Sequence, residues 1–288
     1  RQRQMCIRDR GWGELFINGQ KVSDDVLTPG LTDYFREIQY CTYDVGPLLR
    51  PGINCLGMTL GNGWFSAESI LPWERGRWSD RPQAIMRLVV TLEDGTEQVF
   101  VSDATWKASA GPIVSNQKKP GEAYDARLEK PGWNTPGHDD TGWREATPLP
   151  APRGRLVSRM IPPMKVQRRH RPTAIVADSK GGWRFEFDRF FAGWVRLAVK
   201  GDAGTTIGIA FDDAEADSYV LKGDPAGETF EPRFTLHPVR FVRVTGLPVE
   251  PTSTCTAASP ARARCWSEST RTSRTRCAWR SRGSFSTA

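Results

Sequence analysis

Apolar and polar positions alternate with a period of two along most of the first 150 residues, and no stretch there repeats every 3.6 residues. GELFINGQKV places Leu15 and Ile17 around Phe16 and ends in Asn18-Gly19, a pair suited to the positive φ of a tight hairpin. IQYCTYDV (Ile38–Val45) alternates in the same way and runs into a turn, Pro47 to Gly52. NCLGMTLGNGWF (Asn54–Phe65) is a near-continuous apolar strand closed by Asn62-Gly63, and Ala84–Ser102 predicts a second hairpin through Asp94-Gly95. Short strands at this spacing, punctuated by turns, predict a β-sandwich.

The Pro- and Arg-rich stretch over residues 148–163 suits a linker or an extended edge crossing, and a second β unit follows. Its strands are expected at Trp183–Phe187, Ala192–Lys200, Thr205–Phe211 and Pro238–Gly246, with Asp212–Thr229 as a polar loop. The chain is therefore read as all-β, with two β-sandwich domains over 11–165 and 166–251.

Composition separates the two ends from this body. The formal charge is +7, but residues 1–10 carry +3 and residues 252–288 carry +6, which leaves −2 for 11–251. No basic groove follows, so nucleic acid is not an expected partner. From Thr252 onward, 32 of 37 residues are Ser, Thr, Ala, Arg, Cys or Pro, and Leu, Ile, Val, Met and Tyr are absent. Such a segment buries too little apolar surface to offset its ordering entropy. It resembles GC-rich coding sequence translated out of frame, while RQRQMCIRDR at the start resembles translated library-adapter sequence. Residues 1–10 are thus expected to be an artefact and 252–288 a frameshifted or disordered tail, both outside the fold. Cys41 and Cys55 remain in the body, at neither disulfide-framework nor metal-ligand spacing. No run of about 18 apolar residues predicts a membrane span.

The chemistry concentrates in GEAYDARLEKPGWNTPGHDDTGW (Gly121–Trp143), where two tryptophans stand ten residues apart around a Pro- and Gly-rich turn. Aromatic faces stack on sugar C–H groups and carboxylates accept hydroxyl hydrogen bonds, although burial is the simpler use of both rings. Glu122, Tyr124, Asp125 and Arg127 form the best polar cluster. They read either as a sugar-facing or interdomain patch, or as an Asp125–Arg127 pair that ties a strand to the surface. Trp64, Trp73 and Trp78, in or near the loop Ser66–Arg81, are further candidates for sugar stacking. His138, His170 and His237 have no partners at ligand spacing and read as surface or packed histidines.

INGQKVSDDVLTPGLTDY (Ile17–Tyr34), LGNGWF (Leu60–Phe65), DATWKASAGPIVSN (Asp103–Asn116), the Gly121–Trp143 segment, FDRFFAGWVRLAVKGDAGTTI (Phe187–Ile207) and YVLKGDPAGETFEPRFTLHPVRFVRVTGLP (Tyr219–Pro248) occur in one order. Together they resemble the N-terminal β domains of bacterial α-L-rhamnosidases, glycoside hydrolase family 78, over roughly residues 11–251. The resemblance implies a jelly-roll-like first domain and a concanavalin-like second. It also implies a parent enzyme that releases terminal α-L-rhamnose with inversion, through carboxylates on a following (α/α)6 barrel. Nothing after Pro251 resembles helical hairpins, so the catalytic barrel is expected to be missing and this chain inactive alone. Its partners would be that barrel and a rhamnose-containing carbohydrate. A related family 67 carbohydrate-binding module implies Ca2+, but Lys118 and Lys119 stand where a cation site wants acids, so no cofactor is expected. The competing reading is a stand-alone carbohydrate-binding or adhesion module. The compartment stays open.

Overall fold

The computed structural model describes residues 3–66, 69–71, 74–75, 81–117, 121–212, 215–251 and 255–262. The architecture is all-β, as the alternation predicts, with two three-residue 3-10 turns, Gly46–Leu48 and Ala126–Leu128, among the described residues. The Asp94-Gly95 hairpin joins Gln83–Thr91 to Glu97–Val101, and Gly95 takes φ +87° at its tip. At the other predicted hairpin, Asn18 and Gly19 have φ of +51° and +85°. Asn18 does more than turn the chain: its amide donates to Leu48 O and Asn54 Oδ1 and accepts from Cys55 N, at 2.8–3.0 Å.

A five-stranded sheet, ordered 97–101, 83–91, 3–10, 37–44, 155–158, faces a three-stranded sheet of Gln20–Lys21, Trp12–Ile17 and Leu56–Gly61. Met5, Leu15, Ile17, Val45, Met86 and Leu88 are buried between them. Arg155–Ser158, expected as linker or edge crossing, is the edge strand, parallel to Glu37–Asp44. The second unit is built on the 17-residue strand Trp183–Val199. Its core holds Phe185, Val195, Leu197, Ile207, Phe211, Tyr219, Phe230 and Val242.

The two units are laced together. An eleven-stranded sheet runs from Ile113–Asn116 through Glu122–Asp125 into the second unit's strands, and reaches Asp25–Val26 at its far edge. Glu122–Asp125 lies parallel to Glu215–Val220, and Asp25–Val26 pairs with Met164–His170. A division near residue 165 therefore falls within the strand Met164–His170. Trp12 and Leu27 from one unit pack with Trp194, Phe234 and Ala258 from the other.

Strands also form in stretches that the sequence reading sets aside. Arg3–Arg10 pairs on both sides, with Glu37–Asp44 and Gln83–Thr91, because a backbone ladder requires no particular side chains. Cys255–Arg262 pairs with Trp183–Val199 and Met164–His170. The small side chains Cys255, Ala257 and Ala258 are wholly buried there, Ala258 directly opposite Trp194, so bulk on one strand replaces bulk on the other. Glu215–Val220 lies inside the expected loop 212–229 and Glu228–Phe230 begins within it; Asp217 and Tyr219, with Leu221 just beyond, alternate onto the buried face of the first. Among the described residues no helix is long and apolar enough to cross a membrane.

Candidate functional site

The strand Glu122–Asp125 carries the site expected from the sequence, and its side chains part company at once. Gly121 leads in with φ +142°, where a Cβ would lie 2.4 Å from Asp217 Oδ1 and 2.6 Å from Ala216 O. That close approach brings Glu122 N to Asp217 Oδ1 at 2.8 Å and drives the Glu122 side chain inward, 1% exposed. Its carboxylate accepts from Arg233 N at 3.1 Å, Phe234 N at 3.0 Å and Asn116 Nδ2 at 3.3 Å.

Around it runs a buried polar chain that spans both units. Asn116 Nδ2 also donates to Phe234 O at 2.7 Å, and Asn116 Oδ1 accepts from Asn62 N at 3.0 Å. Asn62 Nδ2 donates to Asn116 O in return. Asp217 Oδ1 further meets His237 Nε2 at 2.9 Å, which lies 2.8 Å from Thr235 Oγ1, and Phe211 stacks on the imidazole at 4.0 Å. The Arg233 guanidinium turns to Glu14, which also pairs with Lys21 at 2.5 Å. Burial pushes the Glu122 carboxyl up to about 7, against the pull of the Phe234 and Arg233 amides and with help from the Asp217 charge.

The other expected residues are placed as follows. Tyr124 is half-buried, its ring tilted against Tyr219 and Phe230 and its hydroxyl donating to Glu129 Oε1 at 2.9 Å. Asp125 accepts from Arg127 N at 3.0 Å at the start of the 3-10 turn and holds the guanidinium through two contacts of 2.7 and 2.9 Å. Arg127 is therefore on a turn, not on the strand. The alternation that gives Glu122 and Tyr124 a common side does not extend to it. Trp64 is half-buried and meets Trp12 edge-on at 6.5 Å. Trp73 and Trp78 lie outside the described residues, as do Lys118 and Lys119. Trp133 packs edge-on to Phe16 at 5.4 Å over Gly57, and Trp143 edge-on to His138 at 5.6 Å; both rings stay partly exposed.

So the structure joins Glu122 to residues that sequence reasoning passed over, Asn62, Asn116, Asp217 and Arg233, and through Asp217 to His237, expected as a surface or packed histidine. The signal for Asp217 was its period-two spacing with Tyr219 and Leu221, masked by the acids and small residues between. Chemically, Glu122 is sealed from solvent, which suits a joint rather than a group that meets a sugar. A cavity of about 20 Å3 beside Glu14, Lys21, Asp25 and Tyr43 has room for about one water. Its acids are already held, Asp25 by Arg159 at 2.8 Å and Glu14 by Lys21 and Arg233. Among the described residues no group of three or more His, Cys, Asp or Glu is placed to hold a metal.

Residues 5–168, more than half of the chain, match the family model of the α-L-rhamnosidase N-terminal domain. The chain belongs to that family. Residues 210–259 match the bacterial α-L-rhamnosidase concanavalin-like domain, beyond the point where the sequence reading ends the fold. An α-L-rhamnosidase of Streptomyces avermitilis is 35% identical over 267 residues, covering 85% of this chain and 25% of that protein. One from Formosa agariphila is 32% identical over 275 residues, covering 86% and 29%. The Streptomyces avermitilis enzyme, solved in complex with L-rhamnose, superposes with a TM-score of 0.86 at 32% identity, over 91% of this chain and 27% of that one. A Dictyoglumus thermophilum α-L-rhamnosidase superposes at 0.83 and 32% identity, over 91% and 31%. The chain thus spans about a quarter to a third of the length of these relatives.

Proposed function

We propose that this chain is the non-catalytic, substrate-presenting N-terminal β region of an α-L-rhamnosidase that removes terminal α-L-rhamnose from glycosides or polysaccharides. The observation that carries this reading is the match of both β units, in order and without a break in the sheet, to the corresponding quarter of full-length α-L-rhamnosidases. In this reading hydrolysis proceeds by inversion, on carboxylates supplied by a following domain, with the general acid and base far enough apart to admit a water. The acids of the present region serve another purpose: Glu122, Asp217 and Glu14 fix the angle between the two units, and so the surface that meets the rest of the enzyme.

The reading is tested by assaying hydrolysis of p-nitrophenyl α-L-rhamnopyranoside with two proteins. One is this chain alone; the other is the same region joined in frame to the catalytic segment of the Streptomyces avermitilis relative. Turnover only in the joined protein is expected. Turnover by the chain alone, or none from a folded joined protein, would overturn the assignment.

A further inference from the structure

Glu122 sits where two pieces of chain distant in sequence close on each other. Asn116, with Asn62 behind it, stands on one side; the amides of Arg233 and Phe234, and Asp217, stand on the other. We propose that Glu122 is a proton-operated latch between the two β units, holding the joint more tightly when protonated than when ionised.

The groups that face it support that sense. Asp217, on Glu215–Val220, is 1% exposed and sets a second carboxylate beside the first. Its Oδ2 is buried and has no hydrogen-bond partner among the described residues. His237, at the head of His237–Thr245, is engaged by Asp217 and Thr235. The cation that faces Glu122 is Arg233, but its guanidinium is engaged by Glu14 on Trp12–Ile17. Tyr124, on the same strand, donates to Glu129 instead. An ionised Glu122 keeps three N–H donors, yet it is sealed from solvent at 1% exposure and feels the charge of another acid, Asp217. A proton on Glu122 removes that repulsion while the backbone donors stay in place.

The direction of the pH dependence follows. The folded value of about 7 lies above the ordinary 4.5, so the folded chain holds this proton more tightly than the unfolded one. The stabilisation is complete below 4.5 and is lost as pH rises through about 7.

The test compares unfolding of the wild-type chain and Glu122→Gln from about pH 5 to about pH 8. Glutamine sets one amide against backbone N–H donors, an offset that does not change with pH. The slope therefore reports the latch. Between 4.5 and 7 the wild-type unfolding constant should rise, relative to the variant, by up to about tenfold per pH unit. Parallel profiles would overturn the proposal. Should the variant not fold, 13C NMR of glutamate carboxyls in the wild type decides. A resonance titrating near 7, with Phe234 amide protection falling as it ionises, is the expected result. Titration of every glutamate near 4.5 would overturn it.

Discussion

Glu122 and Glu228 are both buried, 1% and 6% exposed, both accept backbone N–H bonds, and they are pushed in opposite directions. At Glu228 burial also favours the neutral acid. Its carboxylate, however, accepts from Tyr219 OH at 2.6 Å, Gly223 N at 2.7 Å, and Lys222 and Asp224 N at 3.1 Å each. Those donors win and hold it below the usual carboxylate range. Glu122 has fewer donors and an acid for a neighbour, and there burial wins. Donor count and neighbouring charge, not burial alone, thus decide whether a buried acid is a clasp or a switch. Glu228 clasps a turn within one unit; Glu122 lies between two.

The largest effect should come from closing the space that lets Glu122 in. Gly121→Ala puts a Cβ against Asp217 and the Ala216 carbonyl at a φ that L side chains rarely adopt. Backbone on one side and a pinned carboxylate on the other leave it no room to relax. A loss of about 3 kcal/mol or more is expected in chemical denaturation. A loss below about 1 kcal/mol would mean that the joint is far softer than its packing suggests.

Glu228→Ala strips the acceptor from three amides and a buried tyrosine hydroxyl, at a cost of about 3 kcal/mol in the same measurement. The pH profiles sharpen the comparison further. The depressed value at Glu228 gives stability that is present above 4.5 and lost as pH falls through its folded value. Glu228→Gln should therefore flatten the acid limb of a stability profile, whereas Glu122→Gln flattens the neutral one. A smaller change separates the two causes at Glu122. Asp217→Asn keeps an oxygen for Glu122 N and His237 but removes the neighbouring charge. The Glu122 midpoint, read by 13C NMR, should then fall below about 7 and stay above 4.5, because burial is the larger cause. No movement would assign the whole shift to burial.

How much of this was legible in the sequence varies by element. The hairpins at Asn18-Gly19 and Asp94-Gly95 were, because positive φ is written into those residue pairs. The strand starting at Glu122 was also visible, but not its partner. A parallel pairing with Glu215–Val220 is a long-range choice that leaves no turn signal, and acids and small residues blur the alternation of that strand. Composition misled at Cys255–Arg262. A strand of alanines and a cysteine looks too poor in apolar area to fold, until Trp194 is seen filling the space opposite. The candidate cluster was found as a stretch of chain, and its division into a buried acid and an ion pair with an exposed arginine was not. Glu122 and Asp125 share one strand, and only the strand paired beside it tells them apart.

That division yields the smallest expected effect. Asp125 lies three residues from Glu122, and its carboxyl is held low mainly by the Arg127 side chain, with the Arg127 amide adding to it. The Arg127 side chain is 53% exposed, and water and salt compete for each of its contacts. Arg127→Ala should move the melting temperature little or not at all, because an ion pair with a solvent-exposed arginine contributes about 0–1 kcal/mol. Asp125→Ala should do slightly more, since it also removes the acceptor that starts the Ala126–Leu128 turn. If Arg127→Ala instead weakened the chain as much as Glu228→Ala, the Asp125–Arg127 pair would be part of the joint. The contrast between sealed and open ends of this strand would then fail.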